Sequence, residues 1–215
     1  QTVGPARRGS PTPAGGGGGR AEVGSVAGSR GDVALCVRLR PSGNSEEAPI
    51  AVVEPGGSGV RLRLSPTCRT EAGEVAYPCD LAFGPDSTQE QVYNHAITPT
   101  CEAVVKGYNG AVIAYGQTGS GKTHTMLGDM RGRGQGIAPR AVHSVFAGLA
   151  AASSPSWHVG VSVLEIYNER VRDLLVPGPG ATMVEIHEFR SESGQGQGCF
   201  HCPDATVRPC MDPEE

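Results

Sequence analysis

The chain has 215 residues, enough for one domain with a hydrophobic core, and its formal net charge of -4 does not indicate a nucleic-acid-binding protein. Glycine (32 residues) and proline (17 residues) together supply 49 positions, a share typical of chains that carry disordered stretches beside a folded part. No apolar run approaches the roughly 20 residues of a transmembrane helix, and the first residues lack the apolar core of a secretory signal.

The cysteine content indicates a reducing compartment. There are seven cysteines, an odd number, and the first four are scattered through strand-like or helix-like contexts. This spacing is typical of reduced thiols in a cytosolic protein rather than of a disulfide framework.

The first part of the chain is predicted to be a tail followed by short strands. Residues 1–31 contain a run of five glycines and several prolines, which predicts a disordered Gly/Pro-rich tail. Order is expected to begin at Asp32. Apolar and alternating runs then predict strands over 33–37, 50–53, 60–64 and 75–83.

The hydrophobic period then changes to that of helices. A cap signal at 86–90 starts a predicted helical region that stops at Gly107. Residues 111–115 form a continuous apolar run, as expected of a strand buried on both faces. Residues 128–136 predict an exposed basic loop.

Further elements are predicted after this loop. They are a helix over 137–152, a strand over 157–166, a short helical piece over 168–175 and a strand over 182–187. From Ser191 onward the hydrophobic periodicity disappears, which predicts a divergent, disordered tail over 191–215.

One motif carries chemistry. Residues Gly116, Gln117, Thr118, Gly119, Ser120, Gly121, Lys122 and Thr123 fit the pattern G-x-x-x-x-G-K-[ST], between an apolar strand and a predicted helix. Glycines let the backbone N–H groups point at phosphate oxygens, and the helix adds its positive N-terminal dipole. Lys122 should reach the β- and γ-phosphates, and the Thr123 hydroxyl should ligate Mg²⁺. The alternative is a glycine turn that only matches the pattern.

Residues Gly107–Met126 resemble the P-loop segment of kinesin motor domains in nearly every position, His124 included. Three further segments resemble the family in its order along the chain: 37–41, 87–93 and 164–175. The resemblance covers about 32–190. It implies an α/β fold of three layers, a P-loop NTPase fold of kinesin type with a mixed, largely parallel central sheet. It also implies ATP and Mg²⁺ as cofactors, with His124 in the nucleotide site.

The resemblance also implies a place for the adenine. Arg38, Arg40 and Pro41 would border the base, and Tyr93 would pack against it, because guanidinium and aromatic planes both stack on purines. The alternatives are a solvated arginine at a strand end and a tyrosine on a helix that is half-buried in packing.

Two segments that hydrolysis needs in this family are not found in the sequence. These are N-x-x-S-S-R-S-H and D-L-A-G-S-E, which sense the γ-phosphate and support Mg²⁺. Glu165 follows an apolar run, but the resemblance assigns it to the strand signature rather than to Mg²⁺. We therefore expect a partial motor domain over 32–190, which is marginally stable or aggregates because apolar surface is left uncovered.

The resemblance implies that the intact parent is a microtubule-stimulated ATPase, a microtubule-based motor in the cytoplasm on the cytoskeleton, with tubulin as its partner. One rival is a truncated, non-hydrolysing isoform that acts through nucleotide or partner binding. Another is a P-loop phosphotransferase, which would need an acceptor pocket. In the final segment, Cys199 and Cys202 could clamp Zn²⁺, but a disordered tail with incidental cysteines is the alternative we favour.

Overall fold

The computed structural model describes residues 33–41, 51–63, 73–129, 131–152, 156–176, 183–189 and 199–213. The predicted tail over 1–31 lies outside the described residues. Within them, the strands form five small sheets of two or three strands each. One strand pair among these sheets is parallel, so the described strands do not themselves assemble the largely parallel central sheet that was expected.

The first five strands overlap the four predicted apolar runs, with shifted bounds. They are β1 Cys36–Arg38, β2 Ala51–Val53, β3 Gly59–Arg63, β4 Glu74–Pro78 and β5 Leu81–Phe83. Strands β2, β3 and β4 form an antiparallel sheet, whereas β1 and β5 pair in parallel. The run predicted over 75–83 is split because Asp80 turns the chain: its carboxylate accepts a hydrogen bond from the Leu35 N–H at 2.7 Å.

The first helical region begins where the cap signal predicts. Helix α1 (Gln89–Val92) is followed by a π-helical turn (Tyr93–Ile97) and by helix α2 (Thr98–Val105). The cap is Thr88: its hydroxyl accepts from the Gln91 N–H at 3.1 Å, and the Gln91 side chain accepts from the Thr88 N–H at 2.9 Å. This reciprocal capping box satisfies two of the donors that every helix start leaves without an intrahelical partner.

The next two helices frame the predicted basic loop. Helix α3 spans Lys122–Met126 and helix α4 spans Ile137–Ala151. Between them, Gly128 and Gln135 form a single antiparallel bridge around a short 3-10 turn, Gly132–Gly134. Arg131 and Arg133 are exposed, as expected of a basic loop.

The remaining described strands include a hairpin where a helical piece was predicted. The strands are β6 Val159–Val161, β7 Leu164–Tyr167, β8 Arg170–Asp173, β9 Met183–Val184, β10 His187–Phe189, β11 Cys199–His201 and β12 Arg208–Cys210. The helical prediction over 168–175 was wrong because Asn168 (φ 48°) and Glu169 (φ 59°) both adopt left-handed conformations. Two central residues with positive φ make the tight turn that matches strand twist, so β7 and β8 pair antiparallel.

The run before the P-loop is not the buried strand that was predicted. Residues 111–115 belong to none of the named helices or strands, and Ile113 and Tyr115 are 86% and 98% exposed. A strand is buried on both faces only when neighbouring strands and covering layers surround it. None of the described strands pairs with this run, and this explains the exposure.

The C-terminal segment is more ordered than predicted. Residues 191–198 lie outside the described residues, but β11 pairs antiparallel with β10, and β12 pairs antiparallel with β6. The Thr206 N–H also donates to the buried Asp173 carboxylate at 2.7 Å. The prediction of a disordered tail therefore does not hold for 199–213, whose backbone groups find partners that lie far away in the sequence.

The hydrophobic core lies where β5 meets the helices. Its buried members come from β5, the first helical region and the start of α4: Phe83, Val92, Tyr93, Ile97, Cys101 and Ile137. Partly buried side chains from α3 and α4, including Met126 and Val145, pack against this cluster. The core thus fixes the P-loop helix against the first helical region. Among the described helices, none combines the length and apolar character needed to cross a bilayer.

Candidate nucleotide-binding site

The predicted P-loop forms a turn that leads directly into helix α3. The Ser120 N–H donates to the Gln117 carbonyl at 3.1 Å, which closes the turn. Gly121 then caps the helix with φ 102°, a conformation that residues with a Cβ rarely adopt. The Gly121 carbonyl accepts from the Thr125 N–H at 2.9 Å. The glycine of the motif therefore sets the direction in which the helix N-terminus points.

The P-loop lysine folds over its own loop. Lys122 Nζ donates to the Gly116 carbonyl at 2.9 Å and to the Gln117 carbonyl at 3.0 Å. Both acceptors are neutral, so an ionised phosphate oxygen would form a stronger, charge-assisted hydrogen bond with the same ammonium. The lysine is consequently held at the loop, with partners that a phosphate group could replace.

The other residues of the motif are accessible. Gln117, Thr118 and Gly119 are exposed, and Thr123 and His124 lie exposed on the first turn of α3. The loop and helix start combine an ammonium group and helix N-terminal N–H groups, which can donate to nucleotide phosphates, with an exposed hydroxyl whose oxygen is one ligand that Mg²⁺ can take. These residues therefore fit the ATP and Mg²⁺ that the sequence predicted.

The two arginines predicted near the base both reach the P-loop region. The Arg40 guanidinium donates to the Gly119 carbonyl, and its neighbour Pro41 is exposed. The Arg38 guanidinium donates to the Gln89 side chain at 2.7 Å and to the Thr125 hydroxyl at 3.1 Å. Burial lowers the pKa of Arg38 from its ordinary value because the charged form loses hydration. Arg38 thus ties β1 to α1 and α3, and the alternative of a solvated strand end does not describe it.

Tyr93 lies in the hydrophobic core. Only 5% of its surface is exposed, and its hydroxyl donates to Cys101 Sγ at 3.4 Å. Burial, followed by the Cys101 contact, raises the pKa of Tyr93 to about 12, because both influences favour the neutral phenol. The structure does not bring Tyr93 to the exposed P-loop, and it favours packing within the core over a contact with a base.

Gln89 is the residue near the P-loop that the sequence did not single out. It is 7% exposed and contacts Arg38 on one side and the His124 carbonyl on the other. Its position directly after a capping residue and its place in the segment 87–93 were the signals available, and neither predicted these contacts because a glutamine at a helix start is most often solvated. No unpartnered polar atom remains buried among the side chains that the structure describes.

Comparisons with known proteins point to one family. A family model described as a kinesin motor domain matches residues 38–203. The kinesin heavy chain of Neurospora crassa is 36% identical over 160 residues, which cover 71% of this chain and 16% of that protein. The kinesin heavy chain of Caenorhabditis elegans is 45% identical over 121 residues, covering 55% of this chain and 15% of that protein.

A third relative matches a longer stretch. The kinesin-like protein KIF22 of Danio rerio is 35% identical over 175 residues, which cover 80% of this chain and 27% of that protein. The matched residues thus span 15–27% of the length of these three relatives.

Proposed function

The chain belongs to the kinesin motor-domain family, and on that premise we propose that it is the ATP-binding part of a microtubule-based motor protein. The observation that carries this proposal is the geometry of the P-loop. Lys122 Nζ lies 2.9 and 3.0 Å from two carbonyl oxygens at the loop, directly beside the N-terminus of α3. A positive group and a helix N-terminus at one place form a binding site for phosphates.

Each P-loop residue has a role in this proposal. The backbone of Gly116–Gly121 surrounds the phosphates, Lys122 neutralises their charge, and the Thr123 hydroxyl ligates Mg²⁺. When bound, Mg²⁺ supplies charge that the chain itself lacks at the terminal phosphates. His124, which follows Thr123 on the first turn of α3, lies beside the phosphate site.

The base would lie beside the end of β1. Arg40 already contacts the loop at Gly119, and Pro41 is exposed next to it. We assign these two residues, with Arg38 behind them, to the adenine side of the site. Tyr93 is not assigned a contact with the base, because only 5% of its surface is exposed. Its role in this proposal is to pack in the core that supports the first helical region.

The proposal extends to the fold of the parent protein. The parallel pairing of β1 with β5 and the apolar run 111–115 directly before the P-loop support a three-layer P-loop NTPase fold whose central sheet is mixed and largely parallel. In that arrangement the run 111–115 is the strand that leads into the P-loop. Hydrolysis of ATP, stimulated by microtubules, and movement along tubulin on the cytoskeleton would belong to the intact motor.

Nucleotide binding tests the proposal directly. A fluorescent ATP analogue titrated into the chain with Mg²⁺ should bind saturably, and Lys122→Ala should weaken binding at least roughly tenfold because a charge-assisted contact is lost. Lys106→Ala, which removes an exposed lysine outside the P-loop, is the matched control and should bind like the unaltered chain. Equal binding by all three proteins, or none by the unaltered chain, would refute the P-loop assignment.

Track binding is tested on the intact protein. The full-length protein should co-sediment with microtubules, and the bound fraction should change between ADP and a non-hydrolysable ATP analogue, because γ-phosphate contacts order mobile segments. A bound fraction that is the same with both nucleotides would count against the motor function, whatever the P-loop binds.

A further inference from the structure

We propose that Gln89 is a positioning residue for the nucleotide, one that fixes the P-loop helix and Arg38 relative to each other. This inference rests on the proposed nucleotide binding at the P-loop. Gln89 is the first residue of α1 and lies outside the P-loop motif. Its side chain nevertheless contacts three other segments, and it does so in a buried setting where each hydrogen bond is hard to replace with water.

One end of the Gln89 amide holds Arg38. Gln89 Oε1 accepts from Arg38 Nη1 at 2.7 Å, while the same guanidinium donates to the Thr125 hydroxyl at 3.1 Å and to the Ser87 carbonyl at 3.1 Å. Three acceptors, one on α1, one on α3 and one in the turn just before α1, therefore fix the guanidinium plane. An arginine held in this way cannot swing away from the side of the site where the base is expected.

The other end of the amide holds the P-loop helix. Gln89 Nε2 donates to the His124 backbone carbonyl at 2.6 Å and lies 3.4 Å from the Gly134 carbonyl. His124 follows Lys122 and Thr123 on the same first turn, so this hydrogen bond sets the position of the residues that meet phosphate and Mg²⁺.

The chemistry of the contacts explains why glutamine is needed. A guanidinium offers only donors and a backbone carbonyl only accepts, so the group between them must accept at one end and donate at the other. A glutamate of the same length can accept from Arg38 but cannot donate to His124. A methionine fills a similar volume, cannot donate to His124 and is only a weak acceptor for Arg38.

The basic loop packs closely against this amide. A Cβ atom added to Gly128 would lie 2.7 Å from Gln89 Nε2 and would clash with the Gly134 carbonyl oxygen, so a side chain there would displace the loop or the amide. The absence of a side chain at Gly128 thus allows the basic loop to pack against Gln89. The loop, α1, β1 and α3 converge on one side chain.

Two variants of similar volume separate positioning from packing. Gln89→Met removes both hydrogen bonds, and Gln89→Glu keeps the contact with Arg38 but loses the donor to His124. We expect both variants to raise the dissociation constant of a fluorescent ATP analogue roughly tenfold, measured with Mg²⁺ and calculated per folded molecule from a thermal melt. Glu90→Gln, the next residue on α1 and exposed, should bind like the unaltered chain.

The outcomes are distinct. Unchanged affinity in both variants, even with a lower melting temperature, would show that Gln89 only holds the fold together and would overturn the inference. An affinity that is unchanged in Gln89→Glu but lowered in Gln89→Met would show that the P-loop helix does not need the hydrogen bond to the His124 carbonyl. This outcome also overturns the inference. If the unaltered chain and Glu90→Gln fail to bind as well, the proposed function itself fails and the inference fails with it.

Discussion

At the scale of single residues, Tyr93 shows how burial decides a role that sequence resemblance leaves open. An aromatic side chain serves both a base and a core, and the sequence contains no signal that separates the two uses. The distinction comes from the partners: Phe83, Ile97 and Ile137 surround Tyr93 in one cluster. Those partners lie up to 44 residues away in the sequence, from Tyr93 to Ile137, so periodicity within a single helix could not have revealed them.

The buried phenol predicts a loss of stability at high pH. The pKa of Tyr93 is raised to about 12 in the folded chain, above the ordinary value near 10, so the unfolded chain loses this proton first. The stability that the neutral Tyr93 phenol contributes is complete below about pH 10 and falls as the pH rises towards 12. We expect Tyr93→Phe to reduce the fall in melting temperature over this range, compared with the exposed-tyrosine control Tyr108→Phe. Parallel pH curves for the two variants would contradict the assignment.

The P-loop residues were predictable because their function depends on local sequence. Lys122 and Gly121 follow from a motif of eight residues, and the structure places them at the start of a helix as the motif requires. Gln89 was not predictable, since its partners Arg38 and His124 lie 51 residues before and 35 residues after it. A single sequence contains no information about which distant donor meets which acceptor.

At the scale of elements, the hairpin of β7 and β8 illustrates a conflict between local signals. The run Asn168–Leu175 contains good helix formers, yet Asn168 and Glu169 adopt positive φ and the chain reverses. Asparagine tolerates this conformation, but glutamate does so only with strain. The strand pairing of Ile166 with Val171 evidently outweighs that strain.

Replacing the strained turn residue should stabilise the hairpin. Glu169→Gly should raise the free energy of unfolding by about 0.5–1 kcal/mol, because glycine adopts φ near 60° without steric cost. The measurement is the midpoint of chemical denaturation. Arg170→Gly, within the paired strand β8, is the control and should lower the midpoint instead. A lower midpoint for Glu169→Gly would show that the turn is not under strain.

The C-terminal strand depends on one buried carboxylate. Asp173 is 1% exposed and accepts from the Thr206 N–H at 2.7 Å and from the Leu175 N–H at 2.9 Å. Hydrogen bonds from Thr206, followed by that of Leu175, lower the pKa of Asp173, and desolvation opposes them as the smallest influence. Its stabilising contribution is therefore present above the ordinary aspartate pKa of about 4 and is lost as the pH falls below it.

This predicts an acid-sensitive attachment of β12. Asp173→Asn should speed hydrogen exchange at Thr206 and in β12 at neutral pH, because the amide offers fewer acceptor sites than the carboxylate. In the unaltered chain the same exchange protection should be lost on acidification, whereas the variant should show little pH dependence. Asp204→Asn, an exposed neighbour, is the control. Equal protection in Asp173→Asn and the control would rule out this role for the carboxylate.

At the scale of the whole molecule, the described residues leave much apolar surface in contact with solvent. Ile113 and Tyr115 are 86% and 98% exposed, and Ile166 and Tyr167 in β7 are 70% and 62% exposed. Exposed apolar side chains next to strands without a full set of partners favour association. The sequence predicted most of the strands and helices, but it did not predict how the strands pair into sheets. Strand pairing depends on contacts between segments that are distant in the sequence.

We expect the chain by itself to self-associate. Sedimentation velocity should show a larger mean size as concentration rises, and Ile113→Asp should reduce that increase by placing a charge in the exposed run. Val33→Asp, at an apolar side chain 85% exposed outside this run, should have a smaller effect. A monomer that sediments independently of concentration would contradict the expectation, as would equal effects of the two substitutions.

The two carbonyl contacts of Lys122 make ligand entry an exchange reaction. Two of the three ammonium N–H donors bond Gly116 and Gln117, so a phosphate can meet the third one first, and the gain from replacing the two carbonyls is the difference between old and new partners. A monophosphate that fails to reach the ammonium leaves those bonds intact and gains nothing from it. A longer phosphate chain exchanges two neutral acceptors for charged ones. On the proposed nucleotide binding, the affinity would therefore rise with the number of phosphate groups that reach the Lys122 ammonium.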